Sequence, residues 1–194
     1  MLNAAYAIIM GSPTYMGTVS WQFKKFADAS SKPWFSQQWK DKVFAGFTNS
    51  ATMNGDKHST LHYLITLAMQ HSGIWVGTGM MPSSAKAAQR NDVNYLGSFG
   101  GAIAQSPSDS SPEEMLPGDL ETAKLFGKRV AAVTTEFKSN PPAWAGSEKL
   151  NMEPGGDLAR CGRQSSKTWV AGQTELESLV TGGLLGTHDQ IVRL

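Results

Sequence analysis

The sequence predicts an α/β fold in which helices cover both faces of an open, parallel β-sheet. Short continuous apolar runs are typical of strands that are buried on both faces. Each run is followed by a polar loop and then, in most cases, by a segment with helical spacing of apolar residues. The resulting order of strand, helix, strand, helix, strand, strand, helix is a βαβ pattern, which indicates a parallel sheet. A chain of 194 residues, 40% of them hydrophobic, is large enough for one such domain.

Four apolar runs are the predicted strands. The first ends at Gly11-Ser12-Pro13, a combination that usually interrupts a strand. The runs are Tyr6–Met10, Val43–Phe47, Ile74–Val76 and Gly101–Ala104.

Three segments with helical spacing are the predicted helices. The first is 19–29, the second follows Asp56 as its N-cap, and the third runs from Asp119, again as the cap, to about Thr134. After residue 135 the apolar periodicity is lost. We therefore divide the chain into a domain of residues 1–135 and a loosely ordered tail or appendage of residues 136–194, with candidate short strands at Lys167–Ala171 and Gln190–Leu194.

The charge and cysteine content exclude several classes of protein. The chain has 17 basic and 16 acidic residues, so it lacks the positive charge of a nucleic-acid binder. Cys161 is the only cysteine, which rules out an intramolecular disulfide and fits a reducing compartment. No run of about 20 apolar residues is present to span a membrane. We therefore expect a cytoplasmic protein with no nucleic-acid or membrane partner.

Two polar loops are the candidate ligand site. In open α/β sheets, ligands bind outside the carboxyl ends of the strands. The loops Gly11–Gly17 and Thr48–Gly55 both follow predicted strands, and both are rich in small and hydroxyl residues. Their backbone N–H groups suit a flat ring with a polar edge, with Tyr15 or Met16 packed on a face of the ring. On spacing alone, ordinary strand-to-helix turns are the favoured interpretation of both loops.

Several segments add evidence that spacing does not provide. In chain order they are Ile8–Gly17, Gln22–Asp28, Trp34, Lys42, Phe47–Ser50, the helix before His71, and Asn94–Gly97. Taken in register, these segments resemble the WrbA-like branch of the flavodoxin superfamily, which consists of FMN-dependent NAD(P)H:quinone oxidoreductases. The similarity ends near Thr134 and covers about two thirds of the chain.

This resemblance implies a flavodoxin-like sheet, FMN as the cofactor, NAD(P)H as co-substrate and a quinone-like acceptor. It also implies a homo-oligomer in which one subunit completes the site of another. Trp34 and His71 fall at positions that shape the acceptor pocket, with Gln70 as the alternative to His71. The implied cofactor-binding residues are Ser12, Pro13, Thr14, Tyr15, Met16 and Gly17 in the first loop, and Asn49, Ser50, Ala51, Thr52, Met53 and Asn54 in the second.

The sequence departs from the family in two places. The second loop of the family is usually richer in glycine than Ala51–Met53. The family also begins with a strand, a phosphate-binding loop, a helix and a second strand, whereas Met1 here lies just before the third strand. Losing two charge-assisted hydrogen bonds to the phosphate would weaken FMN binding by roughly two to four decades. We therefore expect this chain alone to bind FMN poorly or not at all.

Two functions follow as hypotheses. The first is an FMN-dependent oxidoreductase that transfers hydride from NAD(P)H to a quinone or similar acceptor, impaired if the phosphate loop is lost. The second is a non-catalytic flavodoxin-like fragment that acts as an oligomerising or binding module.

Three other candidates have simpler explanations. His58 and His62 have the spacing of metal ligands on a helix, but a solvated face is the favoured interpretation because no third ligand is evident. His71 ends a helix, where the helix dipole favours an imidazolium. Cys161 is expected to be inert because no base can be assigned to it.

Overall fold

The computed structural model describes residues 2–145, which contain five strands and four α-helices. Short 3-10 turns cover Leu2–Ala4 and Pro112–Glu114. The strands are β1 (Ala7–Tyr15), β2 (Thr18–Val19), β3 (Val43–Ser50), β4 (Ile74–Trp75) and β5 (Ala102–Gln105), and the helices are α1 (Trp21–Ala29), α2 (Ser31–Phe35), α3 (Lys57–Gln70) and α4 (Pro117–Ser139).

The predicted open parallel sheet with helices is confirmed. The strand order is β2-β1-β3-β4, and β5 also pairs with β3, further along its length. All pairs are parallel except β1 with β2, which are antiparallel. β4 and β5 therefore lie along the same side of β3, separated in sequence by a long excursion. A hydrogen bond of 2.9 Å from Thr78 N to Phe99 O joins the two ends of that excursion.

β1 continues five residues beyond its predicted end at Met10. Tyr6 O accepts a hydrogen bond of 3.1 Å from Val43 N. The backbone N–H and C=O groups of the even-numbered residues of β1 therefore point toward β3. The backbone nitrogen of Pro13 points away from β3, so the missing N–H of proline removes no hydrogen bond between β1 and β3. The prediction that Gly11-Ser12-Pro13 ends the strand is therefore wrong.

The short antiparallel strand β2 was not predicted. Met16 and Gly17 connect it to β1 and both have positive φ, at 46° and 79°. Because Tyr15 pairs with Thr18, these two residues form a tight hairpin of the type that positive φ at both positions permits.

The central strand β3 has a core on each of its faces. Phe44 packs on one face with Leu61 and Leu64 of α3. Val43 and Ala45 point to the other face, and Ala45 lies in the same cluster as Val130 of α4. This two-sided burial explains why β3 is a continuous apolar run rather than an alternating one.

The helix boundaries differ from the predictions at three points. α1 begins at Trp21, with Ser20 as its N-cap, because Val19 belongs to β2. Asp56 precedes α3 but is left-handed (φ 53°), and its side chain caps no N–H. In α4, Pro117 is the first residue, and Asp119 lies in the first turn rather than at the cap.

α4 ends at Ser139 instead of Thr134, so the helix crosses the predicted domain boundary at residue 135. The division into a domain and a tail stays a prediction. The candidate strands at 167–171 and 190–194, and Cys161, lie outside the described residues. None of the helices described here combines the length and the apolar character that crossing a bilayer would require.

Candidate functional site

The two predicted loops lie side by side at the carboxyl edge of the sheet. Pro13 of β1 pairs with Asn49 of β3, so the strands enter their loops next to one another. On the other side of β3, Ser50 pairs with Gln105, and Ser106 N donates to Ser50 O at 3.2 Å. We call residues 12–17 the first turn and residues 49–55 the second turn. The segment that follows β5 is a third neighbour that the sequence did not indicate.

A cluster of three threonine hydroxyls joins the first turn to the rest of the domain. Thr14 Oγ1 lies 2.8 Å from Thr48 Oγ1 and 2.8 Å from Thr60 Oγ1, and all three side chains are buried. The Thr14 side chain thus links β1, β3 and α3. Because its hydroxyl is used within the fold, the predicted flavin contact of Thr14 would fall to its backbone.

The rest of the first turn changes from buried to exposed along the chain. Ser12 Oγ accepts from Ser20 N at 2.9 Å and donates to Pro13 O at 2.9 Å, so this hydroxyl stabilises the strand end. Tyr15 and Met16, at the tip of the hairpin, expose large side chains to solvent. In the first turn, Tyr15 and Met16 therefore have exposed side chains, whereas the hydroxyl of Ser12 is used within the fold.

The second turn contains polar atoms whose hydrogen bonds are incomplete. Asn49 Nδ2 donates to Ser106 Oγ at 3.1 Å, but Asn49 Oδ1 and Ser50 Oγ are buried and have no partner among the described residues. Gly55 packs directly over Ser50, since a Cβ at Gly55 would lie 2.2 Å from Ser50 Oγ. The intervening residues 51–54 are all exposed.

Lys57 is a residue of this edge that sequence reasoning missed. It is the first residue of α3, and it is only 2% exposed. Its Nζ donates to Met53 O at 3.1 Å and also to Thr52 O. Burial lowers the pKa of Lys57, and attraction to Asp119 opposes this shift. The signal was available, because Lys57 falls four residues before Leu61 on the apolar stripe of α3.

Sequence reasoning also missed an ion pair close to the segment that follows β5. Arg90 binds both carboxylate oxygens of Asp119, at 2.9 and 2.7 Å, and Gln105 N donates to the same carboxylate at 2.9 Å. Asp119 is buried, and its hydrogen bond raises the pKa of Arg90. The pair joins α4 to β5 and to the excursion between β4 and β5.

His71 lies far from the two turns. It follows α3 at the amino edge of the sheet, and it is 2% exposed. Its ring packs 4.4 Å from Trp39, and its Nε2 lies 2.9 Å from Ser30 Oγ. Seven residue steps of β3 separate the two edges, a distance of about 23 Å. His71 therefore cannot contact a ligand held by the turns of its own chain. Burial lowers the pKa of His71, so the imidazolium expected at this helix end is disfavoured.

Trp34 also lies near the amino edge. It belongs to α2, which follows Ser30, and its side chain is 44% exposed. The structure thus brings Trp34 and His71 to one end of the sheet and the two turns to the other.

The remaining candidates are surface features. His58 and His62 are both exposed on α3, with ring centroids 6.4 Å apart. Within residues 2–145, no three His, Cys, Asp or Glu side chains come together as metal ligands. A cleft of about 220 Å³ lies at the amino edge, between Tyr6 and Lys138, and contains no residue of either turn.

Comparison with known proteins adds relatives for most of the described chain. The NADPH-dependent FMN reductase family matches residues 1–88. The flavodoxin FldP of Pseudomonas aeruginosa (strain UCBPP-PA14) is 55% identical over 133 residues, which are 69% of this chain and 72% of that protein. An NAD(P)H dehydrogenase (quinone) of Archaeoglobus fulgidus is 38% identical over 131 residues, which are 68% of this chain and 60% of that protein.

A solved structure agrees with the fold. The flavodoxin, WrbA-like protein from Agrobacterium tumefaciens has a TM-score of 0.53 and 54% sequence identity to this chain. The match covers 70% of this chain and 69% of that one.

Proposed function

Because the chain belongs to the WrbA-like branch of the flavodoxin family, whose members are FMN-dependent oxidoreductases that use NAD(P)H, we propose that it transfers hydride to a quinone or similar acceptor. The name of the Archaeoglobus relative supports this acceptor class. The chain spans 60% of that relative, so the activity of the whole relative is carried over only as a proposal.

The chemistry at the carboxyl edge fits FMN. The observation that carries the proposal is that the two turns lie side by side, with the polar atoms Asn49 Oδ1 and Ser50 Oγ still lacking partners among the described residues. Three large apolar side chains, Tyr15, Met16 and Met53, are exposed on the same turns. A planar ring with a polar edge matches both features, because it needs hydrogen-bonding groups at its rim and apolar contact on its faces.

Each turn has a distinct role in this proposal. The backbone of residues 13–17, with Tyr15 and Met16, contacts the ring and the ribityl chain, while residues 49–54 bind the polar edge of the ring. FMN supplies the hydride chemistry when it is bound, so the protein has to bind and orient the reactants rather than provide an acid or a base.

Trp34 and His71 take part only if the protein is a homo-oligomer. Both lie at the amino edge, so they serve the site of a neighbouring subunit or no site at all. Trp34 is partly exposed and can line such a pocket. His71 is buried, and it acts by holding Ser30, the residue between α1 and α2, through its hydrogen bond.

A second candidate is electron transfer without oxidation of NAD(P)H. The 55% identical relative from Pseudomonas aeruginosa is named a flavodoxin rather than a dehydrogenase, which favours this alternative. A protein that binds FMN and leaves NADPH unoxidised would support it. A protein that binds no flavin would support the non-catalytic module instead.

The test combines flavin binding with turnover. FMN is titrated into the purified 194-residue chain, and binding is followed by fluorescence quenching. NADPH oxidation is then measured with added FMN and a benzoquinone. We expect weak but saturable binding and turnover that depends on both FMN and quinone. The proposal is wrong if saturating FMN produces no quinone-dependent oxidation of NADPH.

A matched pair of variants locates the site. Met53 and Met69 are similarly exposed, at 50% and 47%, but Met53 lies in the second turn and Met69 lies near the far end of α3. Met53→Ala should weaken FMN binding several-fold, because it removes apolar contact with the ring. Met69→Ala should leave the affinity unchanged.

A further inference from the structure

Lys57 occupies a position that stability alone does not explain. It is the first residue of α3, where the helix dipole disfavours a positive charge, and the first turn contains no acidic residue. Its side chain is nevertheless buried, at a substantial cost in desolvation. No carboxylate of the described residues lies within 4 Å of its ammonium group. Asp119, the acid whose charge reaches Lys57, is already bound by Arg90 on both oxygens.

The contacts of Lys57 determine the orientation of the second turn. Its ammonium group binds two consecutive carbonyls, those of Thr52 and Met53. In a planar trans peptide, the C=O and the N–H of the next residue point in opposite directions. Since both carbonyls point inward to Lys57, the N–H groups of Met53 and Asn54 point outward.

These two N–H groups are available to a ligand. Neither donates to any acceptor within residues 2–145, and both belong to exposed residues of the second turn. Two adjacent outward amides next to a buried cation are suited to an electron-rich acceptor edge. The polar edge of an isoalloxazine ring presents such carbonyl and nitrogen acceptors.

We propose that Lys57 is a positioning residue for the flavin: by binding the carbonyls of Thr52 and Met53, it holds the N–H groups of Met53 and Asn54 toward the polar edge of the ring. This proposal rests on the proposed function. It explains why a lysine is buried beneath a loop whose own side chains are exposed.

The closest control in this chain is Lys42. Its Nζ also donates to two backbone carbonyls, those of Asn3 (3.0 Å) and Ala5, and burial also lowers its pKa. It lies at the amino edge, at the start of β3, far from both turns. Lys57→Met and Lys42→Met therefore remove the same kind of interaction from opposite edges of one sheet.

The experiment measures the affinity of each variant for FMN and for riboflavin, which presents the ring without the phosphate. Loss of two oriented amide bonds should weaken the binding of both flavins about thirtyfold in Lys57→Met. Lys57→Arg, which retains a donor cation, should recover part of the affinity. Lys42→Met should bind both flavins within about twofold of the wild type, although both methionine variants should have a lower Tm.

A second readout needs no flavin. Lys57 N donates to Asn54 O of the second turn at 3.2 Å, and Ser59 N donates at 3.0 Å to Asp56 O, the residue that follows this turn, so both bonds report on how the turn joins α3. Their amide hydrogens should exchange at least tenfold faster in Lys57→Met than in Lys42→Met.

The outcomes separate the two proposals. If the wild type binds flavin and Lys57→Met binds it equally well, the Lys57 proposal is overturned and the proposed function stands. If the wild type binds neither flavin, the proposed function is overturned. Unchanged exchange at Lys57 and Ser59 in Lys57→Met overturns the positioning role regardless of flavin binding.

Discussion

The hydrogen bonds around His71 define its tautomer. Ser30 Oγ donates its only hydrogen to Ala27 O at 2.7 Å, so the ring must donate from Nε2 to Ser30 Oγ. Nδ1 is then an acceptor, and it is buried without a partner among the described residues. Protonation would place an N–H where no acceptor is available, which agrees with a pKa lowered by burial.

The protonation of His71 should make stability depend on pH. Because the pKa is lower in the folded state than its usual value of about 6.5, the unfolded chain binds the proton more readily. The contribution of neutral His71 to the free energy of unfolding is therefore fully present above about pH 6.5, and it is lost as the pH falls through the pKa of the folded state. His71→Gln should flatten the dependence of Tm on pH below about 6.5, and His62→Gln, at an exposed position of α3, is the matched control. Identical profiles for wild type and His71→Gln would contradict this account.

The hydroxyl cluster should contribute measurably to folding. Thr14→Val removes the hydroxyl between Thr48 and Thr60 and leaves both of them buried with one partner fewer. We expect the free energy of unfolding in urea to fall by ~1–3 kcal/mol. Thr66→Val is the control, because its hydroxyl is exposed and bonds only to His62 O. If the two substitutions lowered the free energy of unfolding equally, the buried cluster would contribute no more to stability than an exposed hydroxyl does.

At the scale of elements, the apolar runs identified the buried strands, because a strand that is buried on both faces has apolar residues at successive positions. β3 is the example, with Phe44 and Ala45 in different cores. β2 was missed because two residues are too few for a periodic pattern, and the extension of β1 was missed because the direction in which Pro13 faces depends on pairing. The end of α4 was misplaced because its last turns are mostly exposed.

The meeting of the two turns at one edge could be predicted because it depends on strand order alone, and the parallel pairing of β1 with β3 places them side by side. Sequence reasoning missed Arg90 because its partner, Asp119, is 29 residues away. The role of His71 stays a prediction, because resemblance to a family does not indicate which subunit's site the residue serves.

The pair of Arg90 and Asp119 should stabilise the contact between α4 and β5. Arg90→Met leaves a buried carboxylate with only Gln105 N as its remaining donor. We expect a loss of about 3 kcal/mol in unfolding free energy. The exposed pair of Lys24 and Asp28 (2.5 Å) is the comparison, and Lys24→Met should cost less than about 1 kcal/mol. Chemical denaturation of both variants would decide, and an Arg90→Met protein as stable as Lys24→Met would exclude this role.

At the scale of the whole molecule, the two edges of the sheet carry different parts of the proposed activity. The carboxyl edge contains both turns and Lys57, whereas the amino edge contains Trp34 and His71. About 23 Å of strand separates them, so one chain cannot bring them together. If both edges take part, the active protein must contain more than one copy of the chain.

Mixing two variants tests this arrangement. Trp34→Ala retains both turns, and Met53→Ala retains the amino edge, so each alone should reduce quinone at a lower rate. Oligomers assembled from both variants should recover part of the wild-type rate, because some sites then combine an intact turn with an intact tryptophan. No recovery in mixtures shown by light scattering to be hetero-oligomers would contradict a site shared between subunits.

The central claim is that the first and second turns together bind the flavin, and hydrogen–deuterium exchange with and without FMN tests it most directly. The account predicts that FMN slows exchange in peptides covering residues 12–17 and 49–55, at the edge where Pro13 pairs with Asn49. Slower exchange elsewhere in the chain, with no change in either turn at saturating FMN, would contradict it.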